Sequence, residues 1–163
     1  MRPTLLLLPL ALLAPLGCSS PSSPSEPSET TKCDPEKPAP AAVPAFEALT
    51  TDAAGAFLPI APDTLFERHF GPQGGSHFYV YAGVFSPDTK IWSVSAKLTA
   101  TDGSTLAAGQ RGFTPCEGKW TAPREITVFL EASGAIDGTL HVEATPGSGA
   151  PLSYEGPASV TGG

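Results

Sequence analysis

Apolar and polar residues alternate along the second half of the chain with a period of two. From Trp92 to Ala100 every second residue is apolar, and the residues between them are serine, lysine or threonine. The ranges 125–131 and 140–145 largely repeat this alternation. Such a period is typical of a β-strand with one face in a core and the other face in solvent.

Turn-forming residues separate these runs and predict where further strands begin and end. Clusters of proline, glycine, aspartate and serine lie at residues 86–89, 102–103, 137–138 and 146–147. These residue types supply the preset or positive backbone angles that turns require. Additional strands are predicted at residues 65–70, 77–85, 105–114 and 157–161. About seven antiparallel strands at this spacing predict an all-β fold, as a single antiparallel β-sandwich.

The folded domain is predicted to run from residue 45 to residue 163. A domain of this length buries about two-thirds of its unfolded surface, which is enough for one hydrophobic core. One short helix is predicted at its start, over residues 44–49, because Phe46 and Leu49 lie three positions apart.

The first 17 residues have the pattern of a signal peptide. Arg2 precedes a leucine-rich run, and Pro9 and Pro15 interrupt that run. A membrane-spanning helix needs about 20 apolar residues, and each proline removes a helix hydrogen bond. A short apolar segment that ends at a processing site is therefore the better interpretation for residues 1–17.

The residues Ala14-Pro15-Leu16-Gly17-Cys18 resemble a bacterial lipobox. Gly17 and Cys18 match that motif, whereas Pro15 stands where the motif usually has leucine. The resemblance implies cleavage before Cys18, lipidation of Cys18 with palmitate-type acyl chains, and anchoring in the bacterial envelope. Ser19, the next residue, implies the outer membrane. An ordinary signal peptide that removes Cys18 is the alternative interpretation.

Residues 18–44 are predicted to form a lipidated, disordered tether between membrane and domain. Serine, proline, glutamate and alanine dominate this range, and such a composition cannot bury enough apolar surface to order itself.

Loss of Arg2 with the signal peptide leaves eight basic residues against sixteen acidic ones, a net charge of −8. This charge excludes a typical nucleic-acid partner, which requires clustered lysine and arginine.

The remaining two cysteines, Cys33 and Cys116, form an even pair in an exported protein. A disulfide is the expected state of such a pair in an oxidising compartment. The sequence lacks the Cys/His spacing of a zinc site, so we expect no metal and no other cofactor. Nothing brings two of the three histidines together at ligand spacing.

The predicted strand at residues 77–85 is the candidate binding element. His77, Tyr79 and Tyr81 fall on one face of it, and Phe78 and Val80 fall on the other. We expect the register with the following strand to decide which face is buried, because a shift of one residue turns every side chain over. If the loop between the two strands has four residues, the tyrosines share the core with Trp92. If that loop has an odd number of residues, the tyrosines form an exposed aromatic row.

Sequence motifs give no support for catalysis. The chain contains no Gly-x-Ser-x-Gly elbow, no His-Glu-x-x-His motif and no phosphate-binding glycine loop. The expected function is therefore a non-enzymatic one, a lipid-anchored binding or structural module with an envelope protein or a glycan as partner. The alternatives are an accessory subunit of an envelope complex, and a hydrolase or inhibitor with a site built from loops.

Overall fold

The computed structural model describes residues 31–72 and 74–162, and these residues form an all-β protein. Alternation of inward apolar and outward polar residues produces its long strands, as the sequence predicted. The strands are β1 (Cys33–Asp34), β2 (Ala45–Thr51), β3 (Phe57–Pro59), β4 (Leu65–Phe66), β5 (His69–Phe70), β6 (Ser76–Ser86), β7 (Trp92–Thr99), β8 (Thr105–Phe113), β9 (Lys119–Leu130), β10 (Ile136–Thr145) and β11 (Leu152–Val160).

All eleven strands belong to one sheet, so a sandwich of about seven strands is not confirmed. The order along the sheet is β3-β2-β6-β9-β8-β7-β10-β11-β4, with β1 paired to β9 and β5 paired to β6. The pairing between β11 and β4 is parallel, and the other strand pairings are antiparallel.

The chain between Phe57 and Phe66 makes the sheet curl on itself. It carries β3 at one end of the strand order and β4 at the other end. Only residues 60–64 separate these two strands, so the two edges of the sheet must lie close together. Ile60 donates a backbone hydrogen bond to Ala48 on one edge, and Thr64 accepts one from Ser159 on the other.

The prediction of a helix at residues 44–49 is wrong. Ala45–Thr51 forms β2, which pairs antiparallel with β6 and with β3. Local spacing of two apolar residues is a weak signal, and the open edge of β6 offers a full row of backbone hydrogen bonds. Tertiary pairing therefore decided the conformation of this segment.

The core lies inside the curled sheet and comes from the inward positions of the long strands. Its largest fully buried side chains include Trp92, Phe78, Leu98, Ile126 and Leu140. Trp92 is completely buried, and its indole N–H donates a 3.2 Å hydrogen bond to the Ser86 hydroxyl. A buried indole needs such an acceptor, since an unpaired polar group in a core is costly.

The structure contains the predicted disulfide between Cys33 and Cys116. Beside it, β1 pairs with β9, and the Trp120 indole N–H donates a 2.8 Å hydrogen bond to the Pro38 carbonyl. The part of the predicted tether that is described here, residues 31–44, therefore contacts the sheet. The predicted signal peptide, Cys18 and the first part of the tether lie outside the described residues.

A buried arginine joins the segment between β4 and β5 to two other parts of the chain. The Arg68 side chain donates hydrogen bonds to the carbonyl oxygens of Ala132, Gly134 and Thr161, at 3.2 Å for Ala132 and 3.1 Å for Thr161. A fourth contact, to the Ser76 hydroxyl, is 3.4 Å long. Arg68 thus connects the loop after β9 and the end of β11 to this segment.

Candidate functional site

The candidate binding residues lie on the outer face of β6. His77, Tyr79 and Tyr81 are partly exposed, whereas Phe78 and Val80 are completely buried on the inner face with Trp92. The tyrosines therefore stand outside the core, as in the second of the two predicted arrangements. The reason differs from the expected one, because β6 pairs with β2, β5 and β9 and does not pair with β7.

Three further strands add rings to these residues. His77 lies directly between His69 on β5 and Phe129 on β9 in the sheet register. Phe57 on β3 reaches the other end of the row at Tyr81. We call this set the aromatic face; it consists of Phe57, His69, His77, Tyr79, Tyr81 and Phe129.

Ring contacts arrange the aromatic face in two groups: Phe57 contacts Tyr81, while His69, His77, Tyr79 and Phe129 contact one another. The two groups are neighbours because Tyr79 and Tyr81 lie two residues apart on the same face of β6. The ring centres of Phe57 and Tyr81 are 5.1 Å apart, those of His69 and Tyr79 are 4.8 Å apart, and those of His77 and Phe129 are 6.0 Å apart. The centres of His69 and His77 are 5.8 Å apart, in a stacked arrangement. Phe57 and Phe129 remain 45% and 62% exposed. These distances are typical of packed aromatic pairs, so the rings support one another while their outer sides meet solvent.

Polar atoms lie among the rings. His77 Nε2 and Tyr79 Oη are 2.8 Å apart, within hydrogen-bond distance. Burial raises the pKa of the Tyr81 hydroxyl above its ordinary value, and the Glu125 carboxylate opposite it on β9 raises that pKa further. The Tyr81 hydroxyl therefore keeps its proton at neutral pH and remains a hydrogen-bond donor.

A cavity of about 280 Å³ lies beside the Phe57 end of the aromatic face. Leu49, Phe57 and Gly83 contribute apolar surface to it. The residues that line it are Asp34, Lys37, Glu47, Leu49, Phe57, Pro59, Gly83, Trp120, Thr121 and Pro123. Because Phe57 lines the cavity and also contacts Tyr81, the cavity and the aromatic face form one continuous surface.

The polar wall of the cavity is built around Lys37. Its ammonium group forms an ion pair with Glu47 and lies 4.0 Å from the centre of the Trp120 ring. Such a cation over an indole ring is electrostatically favourable. The described part of the predicted tether therefore supplies part of the candidate site.

Sequence reasoning missed Phe57, His69 and Phe129 as members of the face. Phe57 and His69 lie on very short strands, whose partners the sequence does not reveal. One signal for Phe129 was present, because this phenylalanine occupies an outward position between Thr127 and Glu131. An aromatic residue at a solvent-facing strand position indicates a contact surface.

The third histidine lies on a strand that does not pair with any strand of the aromatic face. His141 lies on β10, where its Nδ1 is 3.1 Å from the Glu155 carboxylate on β11. Among the described residues, no group of three or more histidine, cysteine, aspartate or glutamate side chains is arranged to hold a metal ion. In residues 31–72 and 74–162 there is also no helix with the length and apolar character needed to cross a membrane.

No protein-family model matches this chain, and no curated protein is a significant match to it.

We expect Tyr79→Ala to lower the free energy of unfolding by about 1 kcal/mol. Removal of a large aromatic side chain from a core typically costs about 3 kcal/mol, which is well above this value. Tyr79 is only partly buried, and its removal leaves the inner face of β6 intact. Urea unfolding followed by circular dichroism measures the change. Phe78→Ala on the same strand is the matched control, with an expected loss of about 3 kcal/mol or more. Equal losses in the two variants would show that Tyr79 belongs to the core.

Proposed function

We propose that this protein is an exported lipoprotein, anchored by Cys18 in the bacterial envelope, whose domain binds its ligand through the aromatic face. The resemblance of residues 14–18 to a lipobox supports the anchor. A cysteine that carries more than one acyl chain anchors a protein at a membrane without a spanning helix. The proposed site is the outer membrane, as Ser19 implies.

One observation carries the proposed binding function. Six aromatic rings from β3, β5, β6 and β9 lie on the outside of the sheet in two adjacent contact groups, although burial of these rings would be favourable. Aromatic side chains that remain exposed as a contiguous patch indicate a contact surface for a ligand or a partner. Tyrosine and histidine are suited to this role because they offer a flat ring and a polar edge at low entropic cost.

Site-specific photo-cross-linking in intact cells tests this proposal. The photoreactive residue p-benzoylphenylalanine replaces Phe129, which is 62% exposed at one end of the aromatic face. The matched control carries it in place of Glu143, an exposed outward residue of β10, which lies three strands from β9 in the sheet order. We expect a discrete adduct from position 129 that is absent from position 143 and lost in the Cys18→Ser variant.

The outcomes separate the proposal from its alternatives. Equal labelling at positions 143 and 129 would contradict a binding role for the aromatic face. An adduct at position 129 that persists in Cys18→Ser would retain the binding face but contradict the need for the lipid anchor. Protease and glycosidase treatment of the adduct identifies its partner as protein or glycan.

A further inference from the structure

We infer that the ligand of this surface is a neutral oligosaccharide that lies along β6 and places one sugar ring in the cavity next to Phe57. This inference rests on the proposed binding function and specifies its ligand class. It joins two features of the structure, the aromatic face and the cavity, into one elongated site.

The aromatic face has the chemistry that a sugar chain requires. A sugar ring has an apolar face of C–H groups and a rim of hydroxyl groups, so it is bound by an aromatic plane with polar atoms close to its edge. Tyr79, Tyr81 and His77 each provide a ring and a polar edge atom on the same side of β6. Alternate residues of a strand are about 7 Å apart, so these side chains form a regular row of contact points.

The cavity has the size and lining for a single ring at one end of the row. Its volume of about 280 Å³ lies just below the range for sites that hold a whole drug-sized molecule, about 300 to 1,000 Å³, which suits a single sugar ring. Leu49 and Phe57 form apolar surface, while Lys37 and Glu47 offer a donor and an acceptor. Such a mixed lining recognises a molecule with apolar faces and polar rims better than it recognises a hydrocarbon chain.

The absence of a side chain at Gly83 contributes to this space. Gly83 lies on the outer side of β6 and lines the cavity. A Cβ atom built at this position would be 3.6 Å from Glu47 Oε2 and 3.7 Å from Leu49 Cδ1, which are ordinary contact distances. A larger side chain at residue 83 can therefore enter the cavity without displacing the backbone.

The charge distribution favours a neutral ligand over an acidic one. Lys37 is the one basic residue that lines the cavity, and the Glu47 carboxylate already neutralises it. Asp34 adds a negative charge to the same wall, and the whole chain after removal of the signal peptide has a net charge of −8. A polyanion would be repelled by this surface.

Isothermal calorimetry with defined sugars tests the inference on the oxidised protein. The probes are cello-oligosaccharides and chito-oligosaccharides from monosaccharide to hexasaccharide, whose β-1,4 linkages keep the chain extended. We expect affinity for at least one series to rise with chain length and then to reach a plateau, as successive rings contact the row. Tyr79→Ala is expected to reduce the gain with length by about tenfold, the effect of a few lost ring contacts.

A second variant tests the cavity alone. Gly83→Leu is expected to fill it and to weaken binding of all chain lengths by about tenfold or more. Gly112→Leu is the matched control, because Gly112 is exposed on β8 and a Cβ there is 3.7 Å from the nearest atom, the Trp92 carbonyl oxygen. The control is expected to bind as the parent protein does. Unchanged binding by a folded Gly83→Leu variant would overturn the placement of a sugar ring in the cavity.

Failure of this inference is distinguishable from failure of the proposed function. If no sugar binds and the adduct from position 129 is a protein, the glycan inference is overturned while the binding role of the aromatic face stands. If no sugar binds and no specific adduct forms, both are overturned. Sugar binding that is as strong in both Tyr79→Ala and Gly83→Leu as in the parent protein would show a glycan site elsewhere and would also overturn the inference.

Discussion

Trp92→Ala is expected to lower the free energy of unfolding by about 4 kcal/mol, the loss typical of a tryptophan removed from a close-packed core. Trp92 is completely buried at the start of β7, and its indole N–H donates a hydrogen bond to the Ser86 hydroxyl. The substitution leaves a large cavity and also removes one partner of a buried hydroxyl. Urea unfolding of the oxidised protein measures the loss, and Trp120 remains as the fluorescence probe.

Two matched variants separate the packing of Trp92 from its hydrogen bond. Trp92→Phe retains most of the ring volume but loses the N–H donor, and we expect a loss of about 2 kcal/mol. Phe129→Ala removes an aromatic side chain that is 62% exposed, with an expected loss of about 0.5 kcal/mol or less. A loss in Trp92→Ala no larger than that in Phe129→Ala would contradict the position of Trp92 in the core.

Arg68→Ala is expected to cost about 4 kcal/mol, which is large for a polar side chain. The guanidinium group is buried and donates to the carbonyl oxygens of Ala132, Gly134 and Thr161. Removing it leaves these acceptors without their donor, at about 1 to 3 kcal/mol for each one that stays buried. The five N–H groups of an arginine have a fixed planar geometry that no other side chain reproduces.

Amide hydrogen exchange locates the effect of this substitution. The Thr161 amide donates to the Phe66 carbonyl, next to the chain segment that Arg68 holds. We expect exchange at Thr161 to accelerate more than exchange at Val128, which lies in the centre of β9. Arg68→Lys retains the charge but not the planar geometry, so it should recover less than half of the lost stability. Full recovery by lysine would show that charge, and not the hydrogen-bond geometry, is the stabilising feature.

The prediction of an all-β protein came from strong local signals, whereas the Cys33–Cys116 disulfide was predicted from the even number of remaining cysteines in an exported protein. Alternation in residues 92–100 and 140–145 recurs in β7 and β10, where the apolar positions are buried and the polar ones face outward. Such alternation follows from strand geometry, since successive side chains point to opposite faces. The number of sheets was not predictable in the same way, because closure depends on how residues 57–66 connect two distant edges.

The candidate site was predicted in part. His77, Tyr79 and Tyr81 share a face because they are two residues apart in one strand, and this relation needs no tertiary information. Their exposure was left open by the sequence and depended on which strands flank β6. Phe129 and His69 join the face through the register of β9 and β5 with β6, and Lys37 joins the cavity through its ion pair with Glu47.

The amino-acid sequence by itself determined the strand periodicity and the acidic charge. If Cys18 carries lipid, the sequence also leaves Cys33 and Cys116 as each other's pairing partners. It also contains the lipobox-like segment on which the proposed anchor rests. Tertiary structure decided that residues 45–51 are a strand, that the sheet curls into one layer around its core, and that rings from four strands meet on its outer face. The physical reason is that side-chain direction along a strand is a local property, whereas neighbours across a sheet are fixed by long-range hydrogen bonds and shared burial.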